Sequence, residues 1–240
     1  MTFALYQTDS YIQKFEAKVT SIDELNQSIT LDQTAFYPGG GGQPADSGSI
    51  MFENHNYQVK RAKRNGREIA HILEHIEEIP TIGSLVTGQI DWENRYKLMR
   101  THTAMHILCG VIFRDYKASV TGGDMQPLKG RMDFEFETMR RELVEEIENA
   151  VNMEVVKARS VTTRIMPRSE AFEIPDLIRT KINLLPEGIT EVRVVEIVGL
   201  DLQADGGTHV KNTSEVGRIS IVDYKSKGKI NKRIYVEITD

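Results

Sequence analysis

The apolar residues of this 240-residue chain change period near Trp92. Upstream, alternating runs such as FEAKVTSI, QSITLDQT, NYQVKRAKR and SLVTGQIDW are broken by Gly, Asn and Pro, the pattern of short strands joined by turns. From Trp92 onward, ENRYKLMRTHTAMHILCGVIFRDY places Leu98, His102, Met105, Cys109 and Ile112 or Phe113 along one helical stripe, with a charged back opposite it. The switch predicts a small β-barrel or sandwich over residues 1–91 and a second domain over 92–240. In the second domain GRMDFEF alternates as a strand and TMRRELVEEIENAVNMEVVKARS reads as a long amphipathic helix. TEVRVVEIVG, GRISIVDYKS and KINKRIYVEI read as strands, with SKGK a turn between the last two. Helices and antiparallel strands are segregated, so the expected fold class is α+β: a small N-terminal barrel, then a domain with an antiparallel sheet and a histidine-bearing helix.

That helix carries His102 and His106, and about a hundred residues later DGGTH carries Asp205 and His209. Residues i and i+4 of a helix come within about 6 Å on one face, so both imidazoles of HTAMH can reach one ion. The two glycines of DGGTH are expected to let the backbone turn tightly enough to aim Asp205 and His209 inward. Alone, HTAMH is weak evidence for metal, but its histidines lie on the apolar stripe, where neutral imidazoles need partners. Two assemblies fit: Asp205 completes a closed tetrahedral site, or three histidines hold the metal while Asp205 acts on a bound water or orients His209. The second is chemically the more productive, because an open zinc lowers the pKa of its water to about 7.

Composition narrows the classes. With one cysteine, Cys109, there is no intrachain disulfide, and MTFALYQTDSYIQKF lacks a basic segment followed by an apolar run, so a reducing, cytoplasmic setting is expected. No stretch approaches the roughly twenty apolar residues that span a bilayer, so no membrane role is expected. Cys109, seven residues after His102 on the same stripe, reads as core packing. The net charge of −5 argues against nucleic acid, yet the C-terminal run gathers Arg218, Lys225, Lys227, Lys229, Lys232 and Arg233 against Asp223 alone. A solvated hairpin is the plain reading of that run, and an RNA-contacting edge the sharper one.

Two further segments could line a site. AFYPGGGGQPADSG lacks the GK[ST] of a phosphate loop, but four consecutive glycines cost backbone entropy and imply close approach of main chain to something, with Gly40, Gly41 and Gly42 as contact points. Gln43 there offers both donor and acceptor. In VTGGDMQPLKGRMDF, Thr121 could offer a hydroxyl to a pocket near the histidine helix, or the segment could be a plain turn.

Together HTAMH, DGGTHV followed by NTSEVG, and KSKGKINKRI resemble the editing domain of alanyl-tRNA synthetase, and FYPGGGGQPADSG resembles its upstream glycine-rich module. The match spans nearly the whole chain and lacks an aminoacylation domain, so it resembles a free-standing editing protein of the AlaX family, medium-sized type. The resemblance implies a trans-acting hydrolase that deacylates tRNA(Ala) mischarged with serine, with glycine a second substrate, at one zinc ion per chain. It implies His102, His106 and His209 as zinc ligands; Asp205 stands where many relatives have cysteine, so its role as ligand or as base toward water is open. Thr121 is nominated to meet the serine hydroxyl, Gln43 as a weaker nominee, and Lys225, Lys227, Lys229, Lys232 and Arg233 to meet phosphates of tRNA(Ala) behind its aminoacylated acceptor end. The alternatives are an editing protein for a threonine-type tRNA and a non-catalytic, zinc-stabilised tRNA-binding protein. Oligomeric state stays open.

Overall fold

The computed structural model describes residues 1–74, 80–180 and 188–240, and the chain divides into two compact units, Met1–Tyr96 and Lys97–Asp240. The first unit holds β1 (Phe3–Ala4), β2 (Lys14–Asp23), β3 (Ser28–Leu31), β4 (Gln33–Thr34), β5 (Gly48–Phe52), β6 (His55–Asn65), β7 (Glu68–Leu73) and β8 (Leu85–Ile90). Six of these close into a barrel in the order β2-β3-β7-β6-β5-β8, with β8 pairing back to β2 and every pair antiparallel. Of the two architectures the alternation allowed, the barrel forms, and closure removes the exposed edges a sandwich would have to protect. Alternation sends Phe15, Ala17 and Val19 of β2 and Tyr57, Val59 and Ala62 of β6 inward, where they join Ile29, Leu31, Ile50, Ile69, Leu73 and Val86 in one core. His71 lies in that core, its Nε2 2.8 Å from Thr34 Oγ1 and its Nδ1 3.1 Å from the Ile29 carbonyl, and burial pulls its pKa down to about 4.

After the barrel come α1 (Trp92–Tyr116), β9 (Val120–Gln126), β10 (Lys129–Glu135), α2 (Arg141–Val156), β11 (Val161–Pro167), α3 (Arg168–Ala171), β12 (Glu191–Ile197), β13 (Asp201–Ala204), β14 (Arg218–Ser226) and β15 (Asn231–Thr239). They build a four-stranded antiparallel sheet, β14-β15-β10-β9, and a three-stranded one, β11-β12-β13. The class is α+β, as the segregation of elements predicts.

Three local readings change. The histidine helix has no charged back along its middle: every residue from Leu98 to Ile112 is buried, including Arg100, Thr101 and Thr103, because packing surrounds it. The long second helix is confined to Arg141–Val156; it ends where Ala158 takes a positive φ of 50°. VTGGDMQ is a strand, not a turn. On the paired strand β10, a Cβ on Gly130 would stand 2.8 Å from Met105 Sδ and 3.2 Å from its Cγ, so glycine there lets α1 settle onto β10. On another side of the helix, a Cβ on Gly110 would meet Asp201 Cβ and Leu200 Cγ at 2.9 Å, so α1 also closes on the start of β13. Among the described residues no helix is long and apolar enough to cross a membrane.

Candidate metal centre

His102 and His106 project from the buried middle of α1, and His209 and Asp205 come from the loop after β13. Each of the four offers one ligand atom, and these atoms lie within 4.8 Å of one another. The rings pack face to edge and face to face: His102 and His209 stack with centroids 4.3 Å apart, and His106 stands 5.1 and 4.7 Å from them. Asp205 Oδ2 lies 3.0 Å from His209 Nε2, and its Oδ1 lies 3.6 Å from His102 Nε2. At such distances either a neutral imidazole donates its Nε2–H to the carboxylate, or a cation stands between two acceptors.

The loop carrying Asp205 turns tightly, held by side chains and not by glycine conformation. Gly206 and Gly207 are absent from the positions of positive φ, so the left-handed freedom of glycine is not what turns the chain here. Instead Asp205 Oδ2 accepts from the Gly207 N–H at 2.8 Å, a turn held by the side chain two residues back, while Arg193 on β12 donates to the carbonyls of Asp205 (3.0 Å) and Gly207 (2.8 Å). Arg193 also stands 3.7 Å from the Asp205 carboxylate.

Electrostatics suit a cation. Burial drives His102 down from 6.5 to about 4, and burial followed by the nearby His102 charge holds His209 well below its usual value. Both rings are therefore neutral near pH 7, the state in which an imidazole can coordinate. Burial would raise the Asp205 pKa, but its charge interactions with His102 and its hydrogen bond with His209 outweigh this and keep it well below the normal carboxylate range. For His106 burial alone would lower the pKa, yet the Asp201 hydrogen bond and charge reverse the shift upward.

Supporting residues that the motifs do not reveal hold the rings. His106 Nδ1 lies 3.1 Å from Asp201 Oδ2, which also accepts from Gln203 Nε2 at 2.7 Å; Arg179 Nε stands 3.5 Å from the other Asp201 oxygen. His209 Nδ1 is 3.2 Å from Thr103 Oγ1, and His102 has a hydrogen bond to the backbone at Thr208. The sequence signal for these groups is slight: Thr103 lies off the apolar stripe of α1, and Asp201 and Gln203 alternate with apolar residues in DLQA. Cys109 Sγ accepts from Gln203 at 3.3 Å, and burial raises its thiol pKa well above the usual value, which fits packing and not nucleophilic chemistry.

Other predicted residues lie in different parts of the chain. Thr121 is the extra residue of a β-bulge: Gly122 opposes Asp133 and Val120 opposes Phe134, leaving Thr121 without a register partner. Bulges re-aim side chains, and Thr121 Oγ1 donates to Asn231 Oδ1 at 2.9 Å. In the first unit, Gly40, Gly41 and Gly42 have φ of 135°, 57° and 86°, with Gly40 and Gln43 exchanging backbone hydrogen bonds (3.1 and 2.9 Å) and Gln43 buried. Asp46 holds the base of this loop: its carboxylate accepts from the Tyr37 N–H at 2.6 Å and pairs with the fully buried Arg95 guanidinium, which also donates to the carbonyls of Ser10 and Ala35.

In the C-terminal hairpin, Lys225 pairs with Asp223 (2.9 Å) and Arg233 makes two bonds to Asp133 (2.7 and 2.8 Å). Lys232 is buried, donating to the carbonyls of Gly228 and Lys229. Lys227 and Lys229 are exposed and have no salt bridge among the described residues.

Residues 192–235 match the family model described as the threonyl and alanyl tRNA synthetase second additional domain, and residues 4–94 match the class II (A) tRNA synthetase model. The alanyl-tRNA editing protein AlaX-M of Methanosarcina mazei is 39% identical over 100% of this chain and 98% of its own length. AlaX-M of Saccharolobus solfataricus is also 39% identical, over 99% of both chains. An alanine–tRNA ligase of Ignicoccus hospitalis is 36% identical over 92% of this chain, which corresponds to 24% of the ligase. Identity at this level along the full length of two AlaX-M proteins makes this chain a member of the AlaX-M family of alanyl-tRNA editing proteins.

Proposed function

We propose that this protein is a zinc-dependent deacylase that hydrolyses the ester of Ser-tRNA(Ala), with Gly-tRNA(Ala) as a second substrate, at the His102, His106, His209 and Asp205 cluster. The observation that carries the reading is that cluster itself: three imidazoles, two of them neutral by burial, around an anionic carboxylate within 4.8 Å, inside a chain of the alanyl-tRNA editing family. Nitrogen and carboxylate donors in this number suit a tetrahedral divalent ion.

When bound, such an ion polarises a carbonyl or a water. The chain's own groups do the rest. Where Asp205 is not itself a ligand, its carboxylate accepts a proton from the attacking water; the water oxygen bonds to the ester carbonyl carbon, the bond to the terminal ribose oxygen breaks, and that oxygen takes a proton. Thr121, aimed by the bulge and tied to Asn231, meets the serine hydroxyl. A pocket fitted to alanine cannot strongly reject serine, whereas a site that hydrogen-bonds the hydroxyl discriminates against alanine by leaving a polar group unpaired.

The deciding experiment measures metal content together with hydrolysis of Ser-tRNA(Ala) and Ala-tRNA(Ala). Wild type is expected to hold one zinc and to hydrolyse the serine ester in preference to the alanine ester. A protein that binds zinc and tRNA(Ala) yet leaves Ser-tRNA(Ala) intact is instead a zinc-stabilised tRNA-binding protein, the reading favoured if Asp205 only closes the site. Equal action on a threonine-type tRNA would move the substrate assignment away from alanine.

A further inference from the structure

The barrel unit carries a concentration of cations that its overall charge conceals. Residues 1–96 hold eight Lys and Arg against thirteen Asp and Glu, yet five of the eight are Lys60, Arg61, Lys63, Arg64 and Arg67. All five are exposed, and Glu68 is the single acid between residues 55 and 73. The ridge has a structural cause. The pairing of β6 with β7 slips between Val59 and Arg61, so Lys60 is the extra residue of a bulge. That interruption of strict alternation puts Lys60 and Arg61 at the surface in succession, and the pattern then resumes with Ala62 inside and Lys63 outside. Arg64 is anchored through a 2.8 Å bond to Tyr6 Oη, while Lys60, Arg61, Lys63 and Arg67 form no salt bridge with the described residues. By contrast, four of the six hairpin cations, Arg218, Lys225, Lys232 and Arg233, are engaged within the chain.

We propose that this β6 ridge is a binding surface for an RNA phosphate backbone, contributing more ionic contacts to tRNA than the C-terminal hairpin does. The inference rests on the tRNA-editing reading. The strand fixes the spacing of these cations, and each phosphate they meet releases condensed counterions. Such contacts position the RNA without reading its bases.

The test is equilibrium binding of uncharged tRNA(Ala) across a salt series to wild type, a Lys60→Gln/Arg61→Gln/Lys63→Gln variant and a Lys227→Gln/Lys229→Gln variant, with urea midpoints confirming that each is folded. For the ridge variant, the slope of log affinity against log salt is expected to become shallower by about 2 to 3, and by more than for the hairpin variant. A ridge variant with wild-type affinity and slope overturns the proposal, as does a wild type that binds no tRNA. Because binding is read without turnover, the two readings fail separately: a wild type that binds tRNA through the ridge but deacylates nothing overturns only the enzymatic reading.

Discussion

Asp201 Oδ2 stands 3.1 Å from His106 Nδ1, and this pair joins the start of β13 to the middle of α1. With Nδ1–H donating to this carboxylate, Nε2 of His106 is the nitrogen left to offer a lone pair to the cluster. Asp201 is fully buried and stays close to the helix because Gly110, one turn beyond His106, has no side chain to hold them apart. Asp201→Asn is expected to lower metal affinity by about 10- to 100-fold while the fold survives. Chelator competition measures the affinity, and nitrogen NMR of the imidazoles in metal-free protein should show a changed tautomer at His106; an unchanged tautomer and affinity would make Asp201 a packing residue only.

Asp205 separates a ligand from a base. If it ligates, Asp205→Ala should lose more metal affinity than the ~10- to 100-fold typical of an outer-sphere partner, and Asp205→Cys should retain zinc while narrowing the metals accepted, since thiolate is softer than carboxylate. Retained metal in Asp205→Ala with a collapsed hydrolysis rate would assign it to the water instead. Metal analysis of the purified variants beside their rates on Ser-tRNA(Ala) decides between the two.

Thr121→Val keeps shape and removes the hydroxyl that Asn231 now receives. One hydrogen bond is worth about 0.5–1.5 kcal/mol, so kcat/KM on Ser-tRNA(Ala) should fall by about 2- to 10-fold with little change on Ala-tRNA(Ala). A parallel loss on both esters would remove Thr121 from serine recognition.

The barrel should weaken in acid through His71. Its pKa is about 4 when folded against the ordinary histidine value of 6.5, so its contribution is complete above about pH 6.5 and falls away as the pH drops toward 4, because only the unfolded chain readily takes the proton. The full loss is about 3 kcal/mol, from a shift of about 2.5 units at 1.36 kcal/mol each. Urea midpoints at pH 7.5 and 4.5 should differ less in His71→Asn than in wild type; equal differences would show that other groups carry the acid limb.

Asp46→Ala leaves the buried Arg95 guanidinium without its carboxylate and frees the Tyr37 N–H. Breaking one side of a buried pair costs about 3–5 kcal/mol. A large drop in the thermal midpoint is expected, measurable by calorimetry, and an unchanged midpoint would mean that water replaces the carboxylate.

The switch from two-residue alternation to a helical stripe near Trp92 is a local property of the chain, and it was enough to anticipate the small barrel and the α+β unit. The i, i+4 histidines were legible for the same reason, since helix geometry alone places them together. What gathered around them was not. Arg193 and Asp201 support the centre from β12 and the start of β13, at sequence distances where no periodicity links them to HTAMH, so only the folded sheets bring them within hydrogen-bond reach. The DGGTH loop illustrates the same limit: its glycines predicted a tight turn, but not that the Asp205 side chain and Arg193 hold it. In the C-terminal hairpin, composition counted the charges, but neutralisation of Arg233 by Asp133 depends on the pairing of β10 with β15. Local residue types and spacing thus determined the elements and the chemistry on offer, and tertiary packing decided which polar groups were left to use it, because burial makes each buried one find a partner.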